Sequence, residues 1–144
     1  MLIERIVREK GSEVATIRAD ALVSAAVDEL RRWNVGALVV SDETGPLAGI
    51  VSERDIVRSI AADGVGALDR PVSGIMSAEV VTCSRDATVE DIMRLMTDRR
   101  IRHIPVVDGP TLVGIVSIGD VVKTRLGELE TEARSLVDYI HAGR

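Results

Sequence analysis

The chain has 144 residues, a formal net charge of −5 and 46% hydrophobic residues, with one Trp, one Tyr and no Phe. That length suits one compact domain, and the acidic balance disfavours a general nucleic-acid binder, which needs a basic face. The lone Cys83 excludes an internal disulfide and suits a reducing compartment, and no apolar run approaches the length of a membrane span.

In chain order, residues 2–10 place Leu2, Ile3, Ile6 and Val7 on one helical face, with Gly11 suited to the position that ends the helix. Glu4, Arg5, Arg8, Glu9 and Lys10 fall where a signal peptide needs an apolar core, so a soluble, cytoplasmic protein is expected. Val14 to Arg18 reads as a short strand. Asp20 is expected to cap a helix to about Trp33, with Val23, Ala26, Val27 and Leu30 as its apolar stripe. Ala37 to Val40 is a continuous apolar run of the buried-strand kind, Asp42 to Pro46 is turn chemistry, and Leu47 to Val51 is the next strand. Ser52 opens a helix that carries Ile56, Val57, Ile60 and Ala61 and stops near Gly64. Gly66, Pro71 and Gly74 mark a connector. The order then recurs: a strand at Val80 to Cys83, a helix capped by Asp86 to about Asp98, strands at Ile104 to Val107 and Leu112 to Val116, and a last helix from Ser117.

The recurrence is an internal repeat. Gly49-Ile50-Val51-Ser52-Glu53-Arg54-Asp55 returns 65 residues later as Gly114-Ile115-Val116-Ser117-Ile118-Gly119-Asp120. Leu38 with Ile104, Val40 with Val106 and Asp42 with Asp108 match at an offset of 66. One supersecondary unit is used twice. Each unit is marginal by itself, so the two are expected to share buried surface. The fold expected is α+β: two β-α-β-β-α repeats packed with pseudo-two-fold symmetry into one module. Repeat 1 spans 3–64, a connector 65–74, repeat 2 75–125 and a C-terminal helical extension 126–144. In that extension Val122, Leu126, Leu129, Ala133, Leu136 and Ile140 form a heptad seam interrupted by Gly127. It packs either on the chain's own body or on its equivalent in a second chain.

Ser52-x-x-Asp55 and Ser117-x-x-Asp120 each precede an apolar helical pattern, which is the signature of a capping box. A purely structural role accounts for both copies. The same geometry puts amides at a helix N-terminus, which attract anions, and sets a carboxylate where it can accept two hydrogen bonds from a vicinal diol. A ligand with both a diol and a phosphate fits. The run Arg99-Arg100-Ile101-Arg102-His103 concentrates cations in an acidic chain. A favourable helix C-terminus accounts for Arg99 or Arg100, whereas Arg102 and His103 stand where the chain enters a strand bordering the repeat interface. The first repeat has Gly36 and Ala37 there.

Enzyme signatures are otherwise missing. Gly64-Val65-Gly66 lacks the third glycine and the preceding strand of a dinucleotide fingerprint, and there is no phosphate-binding P-loop. Cys83 reads as a small core residue. His103 and His141 are too few and too far apart for a metal cluster, and Trp33 and Tyr139 are expected to fill core or interface.

The paired Gly-h-h-Ser-x-x-Asp motifs, the run from Arg102 to Asp108 and the order of elements resemble tandem cystathionine β-synthase (CBS) domains, the pair known as a Bateman module, over roughly residues 3–125. The resemblance implies a stand-alone regulatory module, not an enzyme and with no metal requirement. Such a module binds adenosine-containing ligands (AMP, ADP, ATP, NAD(H) or S-adenosylmethionine) in its inter-repeat clefts and signals to a partner protein. It also implies a homodimer formed through helical faces. Carried over by position, Asp120 and Asp55 would hold ribose hydroxyls, with Ser117 and Ser52 near ribose or phosphate. Arg102, His103 and Arg54 would meet phosphate, Thr82 and Thr16 would offer backbone groups to the adenine edge, and Ile104, Pro105 and Val81 would flank the ring. Gly36 and Ala37 depart from the basic pattern, so the Asp120 cleft is expected to fill first with mononucleotides. The alternative expectation is a constitutive scaffold of the same fold whose clefts stay empty.

Overall fold

The structure, a computed structural model, describes residues 1–143. In the first repeat β1 (Thr16–Arg18) runs parallel to β2 (Ala37–Asp42), and β2 pairs antiparallel with β3 (Gly45–Ser52). The parallel pairing follows from the crossover helix between those strands, α2 (Val23–Trp33), and the antiparallel one from the tight turn at Glu43–Thr44. Leu38, Val39 and Val40 are fully buried in the middle strand, as a sheet covered on both faces requires. Val23, Ala26 and Leu30 of α2 and Ile56 of α3 (Glu53–Asp63) close over Leu38, Val40 and Val51.

The second repeat keeps α4 (Val89–Arg99), the hairpin β4 (His103–Asp108) with β5 (Thr111–Ser117), and α5 (Ile118–Ala142). It does not keep the strand expected at Val80 to Cys83. Cys83 makes a single parallel bridge to Val106, its amide donating to Pro105 O at 3.0 Å and its carbonyl accepting from Val107 N at 2.9 Å. Just beyond, the carbonyls of Arg85 and Ala87 accept from Glu4 N (3.0 Å) and Ile3 N (2.8 Å). The unpaired amides of a helix start therefore draw the chain away before the ladder lengthens.

That helix is α1 (Ile3–Lys10), and its placement is the chief surprise of the fold. It precedes the first repeat, yet Ile3, Ile6 and Val7 are buried in the core of the second, with Ile92, Met96, Ile104 and Val113. Conversely, Val72, Ile75 and Met76, which lead into the second repeat, pack on the core of the first. The two lead-in segments are exchanged, and equivalent bridges hold them: Leu2 to Thr88 and Pro71 to Leu22. The exchange explains the glycine that opens each motif. A Cβ on Gly114 would lie 3.2 Å from Val7 Cγ1, and one on Gly49 would lie 2.7 Å from both Met76 Sδ and the Ser77 carbonyl oxygen. Each glycine is where the exchanged segment crosses its strand.

Several local expectations are corrected. Asp20 does not cap α2: the N-cap is Leu22 without a side-chain bond, and the first amide, Val23 N, donates to Arg70 O at 2.8 Å. Asp20 instead accepts from Arg18 Nε at 3.1 Å. Asp86 does not cap α4, whose cap is Thr88, with Oγ1 accepting from Asp91 N at 3.1 Å. Trp33 is exposed and donates to Glu29 at 3.0 Å, and Tyr139 is 78% exposed, so neither fills the core. Arg125 ties the first half of α5 to Glu90 at 3.2 Å, but every described side chain of that helix beyond Glu128 is exposed. The heptad seam does not fold back on its own body. Among the described residues no helix is long and apolar enough to cross a membrane.

Candidate functional site

Both repeated motifs form complete capping boxes. Ser52 Oγ accepts from Asp55 N at 3.2 Å while Asp55 Oδ2 accepts from Ser52 N at 2.8 Å; the corresponding distances for Ser117 and Asp120 are 3.2 and 2.9 Å. The first amide of each helix is also engaged, Glu53 N by Gly36 O at 3.0 Å and Ile118 N by Arg102 O at 2.8 Å. At each helix start, two of the amides expected to be free for an anion are thus already used. The carboxylates retain capacity: in both boxes the bonds fall on Oδ2, and Oδ1 is left to accept.

The second motif gathers most of the candidate residues. His103 pairs with Ser117 across β4 and β5, which carries Arg102 and Ile104 to the start of α5 beside Asp120. The bond from Cys83 to Pro105 brings half-buried Val81 and exposed Thr82 to the same strand. Ile104 is fully buried and Pro105 is buried, so Val81 is the more accessible apolar wall. Arg54 is exposed on the first turn of α3. Thr16 pairs with Val39 on the far strand of its sheet and lines a separate depression of about 500 Å³ with Arg18, Asp28 and Ser41.

The inequality between positions 36–37 and 102–103 acquires a packing reason. A Cβ on Gly36 would lie 3.2 Å from His103 Cε1 and Nε2, so the residue lacking a side chain in one repeat makes room for the imidazole of the other. His103 is a bridge between the repeats. Burial, and then the charge of Lys10, hold its pKa below the usual histidine value, against the opposing pull of Glu53 and Asp120. At neutral pH the ring is uncharged, and offers a ligand a hydrogen bond and not a cation.

This has a consequence for stability. Between the folded pKa and the unfolded value of about 6.5, the unfolded chain binds a proton that the folded chain refuses. The contribution is complete above about 6.5 and is lost as pH falls below it. The melting temperature is therefore expected to drop between about pH 7.5 and about pH 5.5, and to drop less in His103→Gln. An identical fall in both proteins would contradict this.

Lys10 is the residue that the sequence did not bring forward. Its Nζ donates to Asp120 Oδ2 at 2.8 Å and to Ile115 O at 3.1 Å. Burial works to raise the pKa of Asp120, but hydrogen bonds from Lys10 and Ser117, with the lysine charge, outweigh it and hold the carboxyl below its ordinary value. Lys10 and Asp120 face a groove of about 880 Å³ between α1 and α5, together with Arg5, Lys123 and Thr124. The signal for Lys10 was the exchange of α1, which leaves no mark in the periodicity. Cys83, half buried against the second core, has its thiol pushed up to about 11 by burial, which makes it a poor nucleophile.

A family model described as the CBS domain matches residues 6–62 and 72–127. A mitochondrial CBS domain-containing protein of Arabidopsis thaliana is 42% identical over 128 residues; the match covers 86% of this chain, which spans 62% of the plant protein's length. Among solved structures, a CBS-domain containing protein from Agrobacterium tumefaciens superimposes with a TM-score of 0.84 at 38% identity, covering 87% of this chain and 99% of that one. A CBS domain pair in complex with 5′-methylthioadenosine and S-adenosyl-L-methionine gives a TM-score of 0.78 at 26% identity, covering 89% of this chain and 98% of that one.

Proposed function

Because the chain belongs to the CBS-domain family, with two copies in tandem, we propose that it is a regulatory module without turnover. It binds an adenosine-containing ligand between its repeats and reports adenylate or redox state to a partner protein. The observation that carries this reading is the twice-built carboxylate, Asp55 and Asp120, held at a helix start with one oxygen still able to accept. A ribose diol is the complement of such a group, and the relative crystallised with two adenosine compounds supports the adenosine end. In the second cleft Asp120 and Ser117 take the ribose, Arg102 meets phosphate, and His103 adds a neutral hydrogen bond. Thr82 and Val81 receive the adenine, with buried Ile104 and Pro105 behind them as the floor. In the first, Asp55, Ser52 and Arg54 take the corresponding parts, while Thr16 faces a separate depression. The ligand is AMP, ADP, ATP or NAD(H), and no metal is required.

The module acts as a cytoplasmic homodimer joined through its helical faces. Exposed Leu22 on the approach to α2, Val57 on α3 and Val122, Leu126 and Leu129 on α5 support this, since they offer apolar surface that a second copy would cover. A mass spectrum of the undenatured protein reads both features. The expected species is twice the 15.5 kDa chain mass with a nucleotide-sized increment. A bare monomer would contradict the dimer. A dimer without an increment, and gaining none when ADP or NAD is added, would favour the scaffold with empty clefts.

A further inference from the structure

We propose that Lys10 sets the charge preference of the Asp120 cleft, pairing with the carboxylate until a ribose diol takes it and then turning to the ligand's phosphate. The inference rests on the adenosine reading and deepens it.

The geometry begins with the exchange. α1 crosses β5 where Gly114 lacks a side chain, with the Val7 methyl carbons 3.2 and 3.3 Å from the missing Cβ. One turn further on, the Lys10 ammonium reaches Ile115 O and Asp120 Oδ2 together. Those two bonds use two of its three protons. The pair is only partly sheltered, with side-chain exposures of 40% and 23%. A lysine on a flexible four-carbon stem can leave such a site at small cost, since exposed pairs are weak.

The first motif receives no lysine by this route: past Met76, which meets Gly49, the exchanged segment pairs Ser77 antiparallel with Ile50 and runs back along β3, away from Asp55. A diol that takes Asp120 competes with the ammonium for the carboxylate. A neutral nucleoside offers the displaced ammonium nothing in return, whereas a phosphorylated one offers it an anion, and a charge-assisted hydrogen bond replaces the one lost. Lys10 thereby penalises adenosine and rewards its phosphates. Arg102 raises affinity for phosphate without touching the carboxylate, so only Lys10 acts on the two ligands with opposite sign.

The test is calorimetric titration of the full chain and of Lys10→Met and Lys10→Arg with adenosine and with ADP. Lys10→Met is expected to weaken ADP about tenfold and to strengthen adenosine by up to about fivefold. Lys10→Arg keeps the preference for ADP. Because both ligands are compared within one variant, any loss of folded protein cancels from the ratio. An unchanged ratio of the two affinities in Lys10→Met overturns the proposal while leaving the adenosine reading in place. If the unaltered chain binds neither ligand, the adenosine reading fails and the role of Lys10 fails with it.

Discussion

Gly49→Ala is expected to destabilise the fold by about 1–3 kcal/mol, and Gly114→Ala by distinctly less. The two glycines open the same motif and would be interchangeable if the motif were only a strand-to-helix turn. Their surroundings differ in what can yield. At Gly114 the new methyl meets side-chain carbons of Val7 at 3.2 Å, a contact that a small shift of α1 relieves. At Gly49 it meets the Ser77 carbonyl oxygen at 2.7 Å, and that oxygen accepts from Ile50 N at 3.0 Å while Ser77 N donates to Ile50 O at 2.9 Å. Relief there requires the exchanged segment to lift off β3 and lose both bonds. Urea midpoints of the two variants measure the difference, and equal losses would show that the exchange does not set the tolerance of these positions.

Most of the fold was legible because its signals are local. The Gly-Ile-Val-Ser-x-x-Asp repeat marks both strand-to-helix turns, and the apolar run at Ala37 to Val40 marks the buried middle strand. What escaped was decided by pairing across the chain. The lead-in at residues 2–10 reads correctly as an amphipathic helix, but periodicity does not say which repeat its apolar face covers. Once α1 joins the second core, three other differences follow. Arg85 and Ala87 turn to its amides and end the strand expected at Val80. Thr88 takes the cap from Asp86. Lys10 moves from a solvated helix end to the carboxylate of Asp120.

The site was legible to a similar depth. Ser117, Asp120, Arg102 and His103 were singled out by residue type and position, and the pairing of β4 with β5 brings them to one end of a hairpin. The chemistry of His103 was not legible, because its lowered pKa depends on burial against Gly36 and on a lysine from another element. Gly36 itself reads as a missing basic residue in the sequence. In the structure it is the space into which the imidazole of the other repeat fits.

The central claim, a nucleotide held by the repeated carboxylates with the second cleft dominant, meets its most direct test in titrating ADP into the unaltered chain, Asp120→Ala and Asp55→Ala. Each substitution removes the same half of a capping box, at a cost to the helix of the order of 1 kcal/mol, and Asp120→Ala also releases Lys10, so the melting temperature of each variant is read beside its isotherm. Only Asp120 lies beside Arg102 and Lys10. Losing two hydrogen bonds to a charged carboxylate, at about 1.5–3 kcal/mol each, corresponds to an affinity loss of about a hundredfold or more. The predicted result is saturable ADP binding whose tighter isotherm disappears in Asp120→Ala and survives in Asp55→Ala. No binding by the unaltered chain, or equal losses from the two substitutions, would contradict the account.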